Sequence, residues 1–266
     1  METIFPGDVY QTPANRARWW LDRLGGNGRI VFHGRYIATL LKARWQLARG
    51  RYDTKAWWQT SLALLNLIET SGGRLHVTGI DNIRAAKSPV VFASKHMSSL
   101  ENNVLPSFIV PIQPVTYVIK ASLTKYPVLG PLVKARRTIA VGRANPREDL
   151  QTVMREGTQL LTEGISVILF PEGTRKAWFD PAEFNSLGVK LAKKANVPVI
   201  PVAVKTDFWR NGVHLRDFGP IDRSQPVHIA FGPPIDCANQ RQAHQAVLDF
   251  IAQKSAEWGV PVHHKK

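Results

Sequence analysis

The chain has 266 residues, of which 44% are hydrophobic and 21% are charged, a composition that is ordinary for a folded protein and excludes a disordered or fibrous chain. Its one cysteine, Cys237, excludes an internal disulfide and a cysteine-rich metal site. Thirty-five Lys and Arg against 20 Asp and Glu give a formal net charge of +15 at pH 7. We therefore expect an anionic partner, and composition alone leaves nucleic acid, an acidic carrier protein and a membrane surface open.

The beginning of the chain carries no pattern of a secretory signal, because the first twenty residues contain no apolar run. No stretch of about 18 consecutive apolar residues occurs, so a membrane-spanning helix is not expected. If the protein meets a membrane, it is predicted to lie on its surface. Residues 1–28 are rich in Gly, Asn and Arg, and we expect them to form a loosely structured or partner-dependent lead segment.

Two amphipathic patterns with the period of an α-helix come next. Their shared faces are Tyr36, Ile37, Leu40, Leu41, Trp45 and Ala48 in the first, and Trp57, Trp58, Ser61, Leu62, Leu65 and Ile68 in the second. Asp53 or Thr54 is suited to cap the second helix. Tryptophan beside Lys and Arg is typical of helices in a lipid interface, so residues 1–72 are predicted to end in a membrane-docking hairpin, with Trp57 and Trp58 entering the lipid. A hairpin packed on the core with a solvated basic face is the alternative.

From residue 73 onward, strand and helix patterns alternate. Strands are predicted at 75–79, 90–93, 115–119, 165–170, 199–204 and 226–231, and helices at 145–164, 186–195 and 240–257. Asn145 as N-cap and Pro146 as first helical residue mark the start of one helix, and Gly164 marks its end. Because strand, helix and strand recur, residues 73–266 are predicted to form an α/β domain with a largely parallel central sheet flanked by helices.

The segment SKHMSSLE directly follows the second of these strands, where active sites of open α/β sheets lie. On one continuous helix, positions five apart are about 140° out of phase, so His96 and Glu101 can meet only if the chain turns between them. Ser98 or Ser99 can cap a new helix that holds Glu101 in its first turn, where the helix dipole favours a carboxylate. Glu101 would then hold His96 through Nδ1 and leave Nε2 free as a general base. A structural histidine beside a surface glutamate is the alternative.

The segment FPEGTR, residues 170–175, also follows a predicted buried strand. Gly173 permits close backbone approach, Thr174 offers a hydroxyl group, and Arg175 offers a planar guanidinium suited to phosphate. A tight turn with a surface arginine is the alternative. Because both segments lie just past strand ends of one sheet, they are predicted to converge on one crevice.

Together these residues resemble the glycerolipid acyltransferases of the 1-acylglycerol-3-phosphate (lysophosphatidic acid) acyltransferase type. That family has a histidine and an acid separated by four residues, here His96 and Glu101, and a phosphate motif matched in full by residues 170–175. The remaining blocks follow in order: Lys120–Leu123 with Pro127 and Gly130, Ile139–Arg143, and Val197–Ala203. The resemblance covers roughly residues 74–215 and adds a strand at 139–143.

The resemblance implies that His96 is the catalytic base and Glu101 its orienting partner. The implied substrate-binding residues are Lys120, Arg143, Glu172, Gly173, Thr174 and Arg175. The acceptor hydroxyl would attack the thioester directly, without an acyl-enzyme, and main-chain N–H groups around Gly173 are candidates to stabilise the oxyanion. No metal or cofactor is expected. A basic cluster of Lys134, Arg136, Arg137 and Arg143 could meet the donor's phosphates or form a solvated face.

The implied substrates are acyl-CoA or acyl carrier protein as donor and lysophosphatidic acid as acceptor, giving phosphatidic acid in phospholipid biosynthesis. The expected location is the cytoplasmic face of the cell membrane, as a peripheral or monotopic protein on an anionic surface. The family's pattern is broken at three places: Glu101 where many members have Asp, Ser122 in place of the usual acid, and Arg136 or Arg137 where glycine is common. The last two keep another acceptor open, such as a lyso-aminolipid, glycerol-3-phosphate or a lipid A precursor.

Two other classes of protein fit the sequence less well. A serine hydrolase would need a nucleophile on a strained turn, and no G-x-S-x-G segment occurs. A nucleic-acid-binding module would explain the basic charge, but the chain has no recognisable binding fold or zinc pattern. We therefore expect no nucleic-acid partner.

Overall fold

A computed structural model describes residues 5–24, 29–87, 89–213 and 215–263, and within these ranges an eight-stranded sheet forms the centre of the fold. The strands are β1 (Tyr10–Gln11), β2 (Leu75–Thr78), β3 (Val91–Ser94), β4 (Val115–Lys120), β5 (Ile139–Val141), β6 (Ser166–Leu169), β7 (Val199–Lys205) and β8 (Val227–Phe231). Their order across the sheet is β1-β2-β8-β7-β3-β6-β4-β5. Only β1–β2 and β7–β8 pair in antiparallel fashion among these strands, so the predicted α/β fold with a largely parallel sheet is confirmed.

Helices cover both faces of the sheet. They are α1 (Trp20–Leu24), α2 (Arg29–Ala48), α3 (Thr54–Thr70), α4 (Ile80–Ala85), α5 (Leu100–Ile109), α6 (Leu129–Lys134), α7 (Pro146–Thr162), α8 (Leu187–Ala195) and α9 (Gln240–Glu257). Side chains of α3 and α5 share one apolar core with Phe92 of β3, while α7, α8 and α9 share a second core with Val91 and Ala93. β3 is therefore buried on both faces, as a central strand of a parallel sheet must be.

Local capping residues place several helix ends where the sequence predicts them. The Asp53 side chain accepts a hydrogen bond from the Ala56 amide at 2.8 Å and starts α3. The Asn145 side chain accepts one from the Arg147 amide at 3.1 Å, and Pro146 opens α7. Gly164 follows the end of α7 with φ of 81°, a left-handed conformation in which glycine carries no steric penalty.

The helical hairpin formed by α2 and α3 is present, but its buried and exposed faces differ from those predicted. Trp58 is only 7% exposed, and its Nε1 donates to the carbonyl oxygen of Ser107 at 3.2 Å. Trp57 packs against the Tyr117 ring. The prediction that these two tryptophans enter the lipid is therefore wrong, because α5 and β4 cover them.

The predicted loose structure of the lead segment is wrong for residues 5–24. β1 pairs with β2, and the Thr12 amide donates to the Leu75 carbonyl oxygen at 3.0 Å. The Tyr10 hydroxyl donates to Glu69 at 2.6 Å, and the Phe5 ring packs on Phe108 at a centroid distance of 4.6 Å. These contacts tie the segment to α3 and α5. Residues 1–4 and 25–28 lie outside the described residues.

The parallel strands fix the position of the site. β3, β4, β5, β6 and β7 run in the same direction, so their carboxyl ends meet at one edge of the sheet. Within the described ranges, no helix combines the length and the hydropathy needed to cross a bilayer. Side chains of α3 share a core with the sheet. The division of the chain into two domains between residues 72 and 73 stays a prediction.

Candidate active site

His96 and Glu101 form a buried pair at the carboxyl end of β3. The chain turns after β3, α5 begins at Leu100, and Glu101 lies in the first helical turn as predicted. The Ser98 hydroxyl accepts a hydrogen bond from the Leu100 amide at 3.0 Å and stabilises this start. His96 Nδ1 and Glu101 Oε1 are 2.7 Å apart.

The Glu101 carboxylate receives hydrogen bonds on both oxygens. Besides His96, the amides of Met97 and Ser98 donate to Oε1 at 2.8 and 3.0 Å, and the Thr206 hydroxyl donates to Oε2 at 2.8 Å. Burial alone would raise the pKa of Glu101, but its hydrogen bonds and the charge of His96 together lower that pKa to about 2. Glu101 is therefore ionised at neutral pH.

His96 is a neutral base at neutral pH. Burial lowers its pKa, the Glu101 carboxylate offsets part of that decrease, and the positive charges of Arg175 and Arg143 lower the pKa further. Because an ionised carboxylate only accepts hydrogen bonds, Nδ1 carries the proton and Nε2 carries the free lone pair. Nε2 makes no hydrogen bond within the described residues, and the ring stacks on Phe170 at a centroid distance of 4.2 Å.

A cavity of about 370 Å³ opens in front of His96. The predicted site residues in its wall are His96, Lys120, Arg143, Gly173, Thr174 and Arg175. Its other end lies between the sheet and the α2–α3 hairpin, where Leu40, Trp57 and Leu64 line it. The cavity therefore has a cationic end beside the base and an apolar end under the hairpin.

The loop that begins at Gly173 forms part of the cavity wall. Gly173 has φ of 68°, and open space lies where a Cβ would stand, so a ligand can approach the main chain there. Its own N–H donates to the Phe170 carbonyl oxygen at 3.0 Å and is not free for an oxyanion. Within the described residues, the main-chain N–H groups of Thr174 and Arg175 make no hydrogen bond, which moves the oxyanion candidates one and two residues along the chain.

Glu172 lies outside the wall of this cavity, although the sequence predicts it to bind substrate. Its Oε2 accepts a hydrogen bond from the main-chain N–H of His96 at 2.7 Å. Burial raises the pKa of Glu172 to about 7, although the positive charge of Lys95 lowers it. The Glu172 side chain therefore contacts the main chain of His96 instead of the cavity.

Arg175 is engaged by a residue that sequence reasoning missed. Its Nη1 is 2.7 Å from Asp217 Oδ1, and the Ser99 hydroxyl donates to the same oxygen at 2.6 Å. The neighbouring Arg216 donates to the Thr174 hydroxyl at 3.0 Å, and both Arg216 and Asp217 line the cavity. These two residues lie in a short 3₁₀ turn, Arg216–Phe218, within an irregular segment that has no periodic signal. Thr206, by contrast, could have been found because it follows the carboxyl end of β7.

The predicted basic cluster is divided in the structure. Arg136 donates to the carbonyl oxygens of Tyr52 and Asp53 at 2.5 and 3.0 Å, with its guanidinium over the Tyr52 ring. Arg137 pairs with Glu163 at 2.6 Å. Arg136 therefore joins the end of α6 to the hairpin, and both Arg136 and Arg143 lie in the cavity wall.

A second cavity of about 400 Å³ lies on the other face of the sheet, between β4, β6, α7 and α8. Its wall includes apolar residues such as Val118, Val153 and Leu187, with Lys190 at its edge. Phe170, Gly173 and Arg143 belong to the walls of both cavities. Two separate approaches thus reach the same short loop beside the base.

Residues 74–205, which hold the dyad and the FPEGTR loop, match the family model described as Acyltransferase. This segment belongs to the acyltransferase family. It is 32% identical over 175 residues to the 1-acyl-sn-glycerol-3-phosphate acyltransferase of Pseudomonas aeruginosa, covering 65% of this chain and 64% of the relative. It is 29% identical over 153 residues to the enzyme of the same name from Limnanthes alba, covering 56% of this chain and 51% of the relative. The chain therefore spans less than two thirds of the length of these curated relatives.

The fold of this chain also matches a solved structure. The crystal structure of the 1-acyl-sn-glycerophosphate (LPA) acyltransferase from Thermotoga maritima superposes with a TM-score of 0.63, covering 92% of this chain and 95% of the other. The two sequences are 18% identical, so the likeness shows a shared fold.

Proposed function

We propose that this protein is a membrane-surface O-acyltransferase that transfers a fatty acyl group from acyl-CoA or acyl carrier protein to the free hydroxyl of lysophosphatidic acid, giving phosphatidic acid. The observation that carries the proposal is the neutral His96, held by an ionised Glu101, in one cavity wall with the guanidinium of Arg175. A base and a phosphate-binding group beside one another are what acylation of a phosphorylated alcohol requires. The names of the curated relatives support this choice of acceptor.

The proposed reaction is a direct transfer. His96 Nε2 takes the proton of the acceptor hydroxyl while that oxygen attacks the thioester carbonyl, and the tetrahedral intermediate then expels the thiolate, which takes the proton back from His96. Glu101 stabilises the transient imidazolium, as the buried carboxylate of a catalytic triad does. The N–H groups of Thr174 and Arg175 are the candidates to bind the oxyanion.

The two ends of the first cavity suit the two ends of an amphiphilic substrate. Arg175, Lys120 and Arg143 provide positive charge for the acceptor's phosphate beside the base. The apolar end under the hairpin provides space for a hydrocarbon chain. The second cavity reaches the same Gly173 loop from the opposite face and offers the thioester donor a separate approach.

The proposed membrane contact is the outer face of α2. Ile30, Ile37, Leu41 and Trp45 are all exposed there, with Leu41 at 49% and Trp45 at 51%. Lys42 follows Leu41 in the helix, and Arg49, just beyond the end of α2, lies over the Trp45 ring, so apolar anchors and positive charge occur together. Such a helix fits the interface of an anionic bilayer, and we propose the cytoplasmic face of the cell membrane as its site.

The experiment that tests the proposed reaction is transfer of labelled oleoyl and palmitoyl groups from CoA and from acyl carrier protein to a panel of acceptors. The panel contains lysophosphatidic acid, a lyso-aminolipid, glycerol-3-phosphate and a lipid A precursor. Wild type is compared with His96→Ala and with His244→Ala, a matched control in α9. We expect transfer to lysophosphatidic acid that falls by about 10²- to 10⁴-fold in His96→Ala, because a general base contributes that much, and stays unchanged in His244→Ala.

Each part of the proposed reaction is contradicted by a different outcome. If His96→Ala acylates as fast as wild type, the dyad is not the catalytic base. If wild type acylates only another acceptor of the panel, the reaction class stands and lysophosphatidic acid is the wrong substrate. Transfer from only one of the two donors identifies the thioester that the enzyme uses.

A further inference from the structure

The phosphate-binding arginine of the site is paired with a carboxylate of its own chain. Arg175 Nη1 lies 2.7 Å from Asp217 Oδ1, and the Asn211 side-chain oxygen accepts a longer hydrogen bond from the same nitrogen at 3.4 Å. The Arg175 side chain is 16% exposed and that of Asp217 is 33% exposed. An acceptor phosphate that binds Arg175 through Nη1 must therefore compete with Asp217 for that nitrogen.

Asp217 is held at a second point that does not depend on Arg175. The Ser99 hydroxyl donates to its Oδ1 at 2.6 Å, and Ser99 lies at the start of α5 beside the dyad. Burial would raise the pKa of Asp217, but Arg175 and Ser99 lower it below its usual value, so the group is charged at neutral pH. When a ligand takes Arg175 from Asp217, the Ser99 hydroxyl and solvent still donate hydrogen bonds to the carboxylate. The free-energy cost of displacing Asp217 is therefore small.

The next residue along the chain supplies the opposite charge. Arg216 lines the same cavity and donates only to the Thr174 hydroxyl within the described residues. A ligand that displaces Asp217 therefore meets two guanidinium groups, those of Arg175 and Arg216, and one hydroxyl. This set of groups suits a phosphate monoester, which carries a charge of about −1.5 to −2 and three acceptor oxygens.

The competition between Asp217 and the ligand distinguishes acceptors by their charge. A phosphate monoester offers more charge and more acceptor oxygens than one carboxylate and can take over the Arg175 fork. A neutral headgroup offers only hydroxyl groups and leaves the Arg175–Asp217 pair intact. We propose that Asp217 is a residue that tunes acceptor binding, an internal anion that holds Arg175 until a phosphomonoester acceptor displaces it, so that it sets the affinity of the site for phosphorylated acceptors and leaves neutral ones unaffected. This inference rests on the proposed function for the nature of the acceptor, and the pairing itself is independent of it.

The variant that tests the proposal is Asp217→Asn, which removes the charge and keeps the shape and the Ser99 partner. Asp222→Asn is the matched control, because Asp222 lies in the same irregular segment and pairs with Arg210 at 2.5 Å outside both cavity walls. Asp217→Glu retains the charge and is expected to behave within about twofold of wild type. The thermal unfolding midpoint of each variant shows that it is folded.

Two readouts are compared across these variants. The first is the ratio of kcat/KM for lysophosphatidic acid to kcat/KM for a monoacylglycerol of the same chain length. We expect this ratio to rise about fivefold in Asp217→Asn, the factor typical of a partly exposed ion pair, because only the phosphorylated acceptor uses Arg175. The second is the dissociation constant of inorganic phosphate, measured by isothermal titration calorimetry, which we expect to fall by a similar factor. Asp222→Asn should match wild type in both readouts.

The outcomes separate this inference from the proposed function. If Asp217→Asn binds phosphate as wild type does, or loses activity equally toward both acceptors, Asp217 is only a structural residue and the inference is wrong. If phosphate binds more tightly to Asp217→Asn while wild type acylates no lysolipid, the competition for Arg175 stands and the proposed function fails.

Discussion

The chemistry of the site depends on how many donors the Glu101 carboxylate receives. Glu101 reaches from the first turn of α5 back to the ring of His96 and to the main-chain amides of Met97 and Ser98, and Thr206 donates from β7's end. Many members of the family have the shorter Asp at this position. The extra methylene of Glu101 is used here, because one carboxylate both orients the base and satisfies the turn that precedes α5.

Glu172 gives a prediction about stability and pH. Its folded-state pKa of about 7 lies above the ordinary value of 4.5 because of burial, and its Oε1 has no hydrogen-bond partner in the described residues. Between those two pH values the folded protein keeps a proton that the unfolded chain has lost, so the free energy of unfolding decreases as pH rises through this window. We expect the free energy of unfolding of Glu172→Gln, relative to that of wild type, to be about 2 kcal/mol higher at pH 8 than at pH 5. Urea unfolding at the two pH values measures this change.

The control for this measurement is Glu148→Gln, which changes an exposed side chain in the first turn of α7. The difference in free energy of unfolding between Glu148→Gln and wild type should be the same at pH 5 and at pH 8. A difference between Glu172→Gln and wild type that does not change with pH would show that Glu172 is ionised throughout this window, and that Lys95 compensates its charge fully.

At the scale of elements, local sequence signals predicted the helix ends correctly, whereas contacts between residues distant in sequence could not be predicted. Asn145, Pro146 and Gly164 define both ends of α7 because caps act within one turn. The α2 face was predicted as one surface, but Trp209, which is far away in sequence, packs on Tyr36 and divides that face into a buried and an exposed part. Segments as short as β1, α1, α4 and α6 show too few periods for a pattern to be recognised.

The same distinction explains which parts of the site the sequence could predict. His96 and Glu101 are five residues apart and follow a strand, so a turn and a cap suffice to bring them together. Asp217 reaches Arg175 only because the irregular segment after β7 folds back over the cavity. The resemblance implied that Glu172 binds substrate, but its side chain contacts the main chain of His96 outside the cavity wall. No sequence pattern tells which way a side chain turns at a strand end.

The exposed stripe of α2 gives a prediction about membrane binding. Leu41→Ser and Trp45→Ser should each weaken partition onto anionic vesicles about five- to tenfold. Each removes an apolar side chain whose transfer into the lipid contributes roughly 1 kcal/mol to the binding free energy. Vesicle sedimentation measures the partition. Trp178→Ser is the matched control, since Trp178 is 38% exposed and lies outside α2.

The fold must be intact for that comparison to be meaningful. Both α2 variants are expected to keep the thermal unfolding midpoint of wild type, because the replaced side chains are already half exposed. Trp58→Ser, by contrast, should lose stability by about 3–5 kcal/mol, as expected for a large buried side chain. Equal partition of Leu41→Ser, Trp45→Ser and wild type would remove α2 from the membrane contact.

At the scale of the whole molecule, charge links the proposed partners. The formal charge of +15 accompanies cationic residues at the cavity (Lys120, Arg143, Arg175 and Arg216), on α2 (Lys42 and Arg44) and just beyond its end (Arg49). Lysophosphatidic acid, both thioester donors and an anionic bilayer all carry negative charge. A long-range field of this sign raises the local concentration of each of them before any specific contact forms.

The contributions of this electrostatic field and of the apolar face of α2 to membrane binding can be distinguished by varying the salt concentration. The Debye length decreases from about 10 Å at 0.1 M salt to about 3 Å at 1 M, so electrostatic attraction to a surface weakens while apolar insertion does not. Between 50 and 500 mM NaCl we expect partition onto anionic vesicles to decrease at least about tenfold, since each basic residue near such a surface contributes roughly 1 kcal/mol. Partition onto zwitterionic vesicles should change less than twofold and should still respond to Trp45→Ser. If salt weakens binding to both kinds of vesicle equally, the positive charge of the molecule has no specific role at the membrane, and its purpose must lie in binding the phosphates of the substrates.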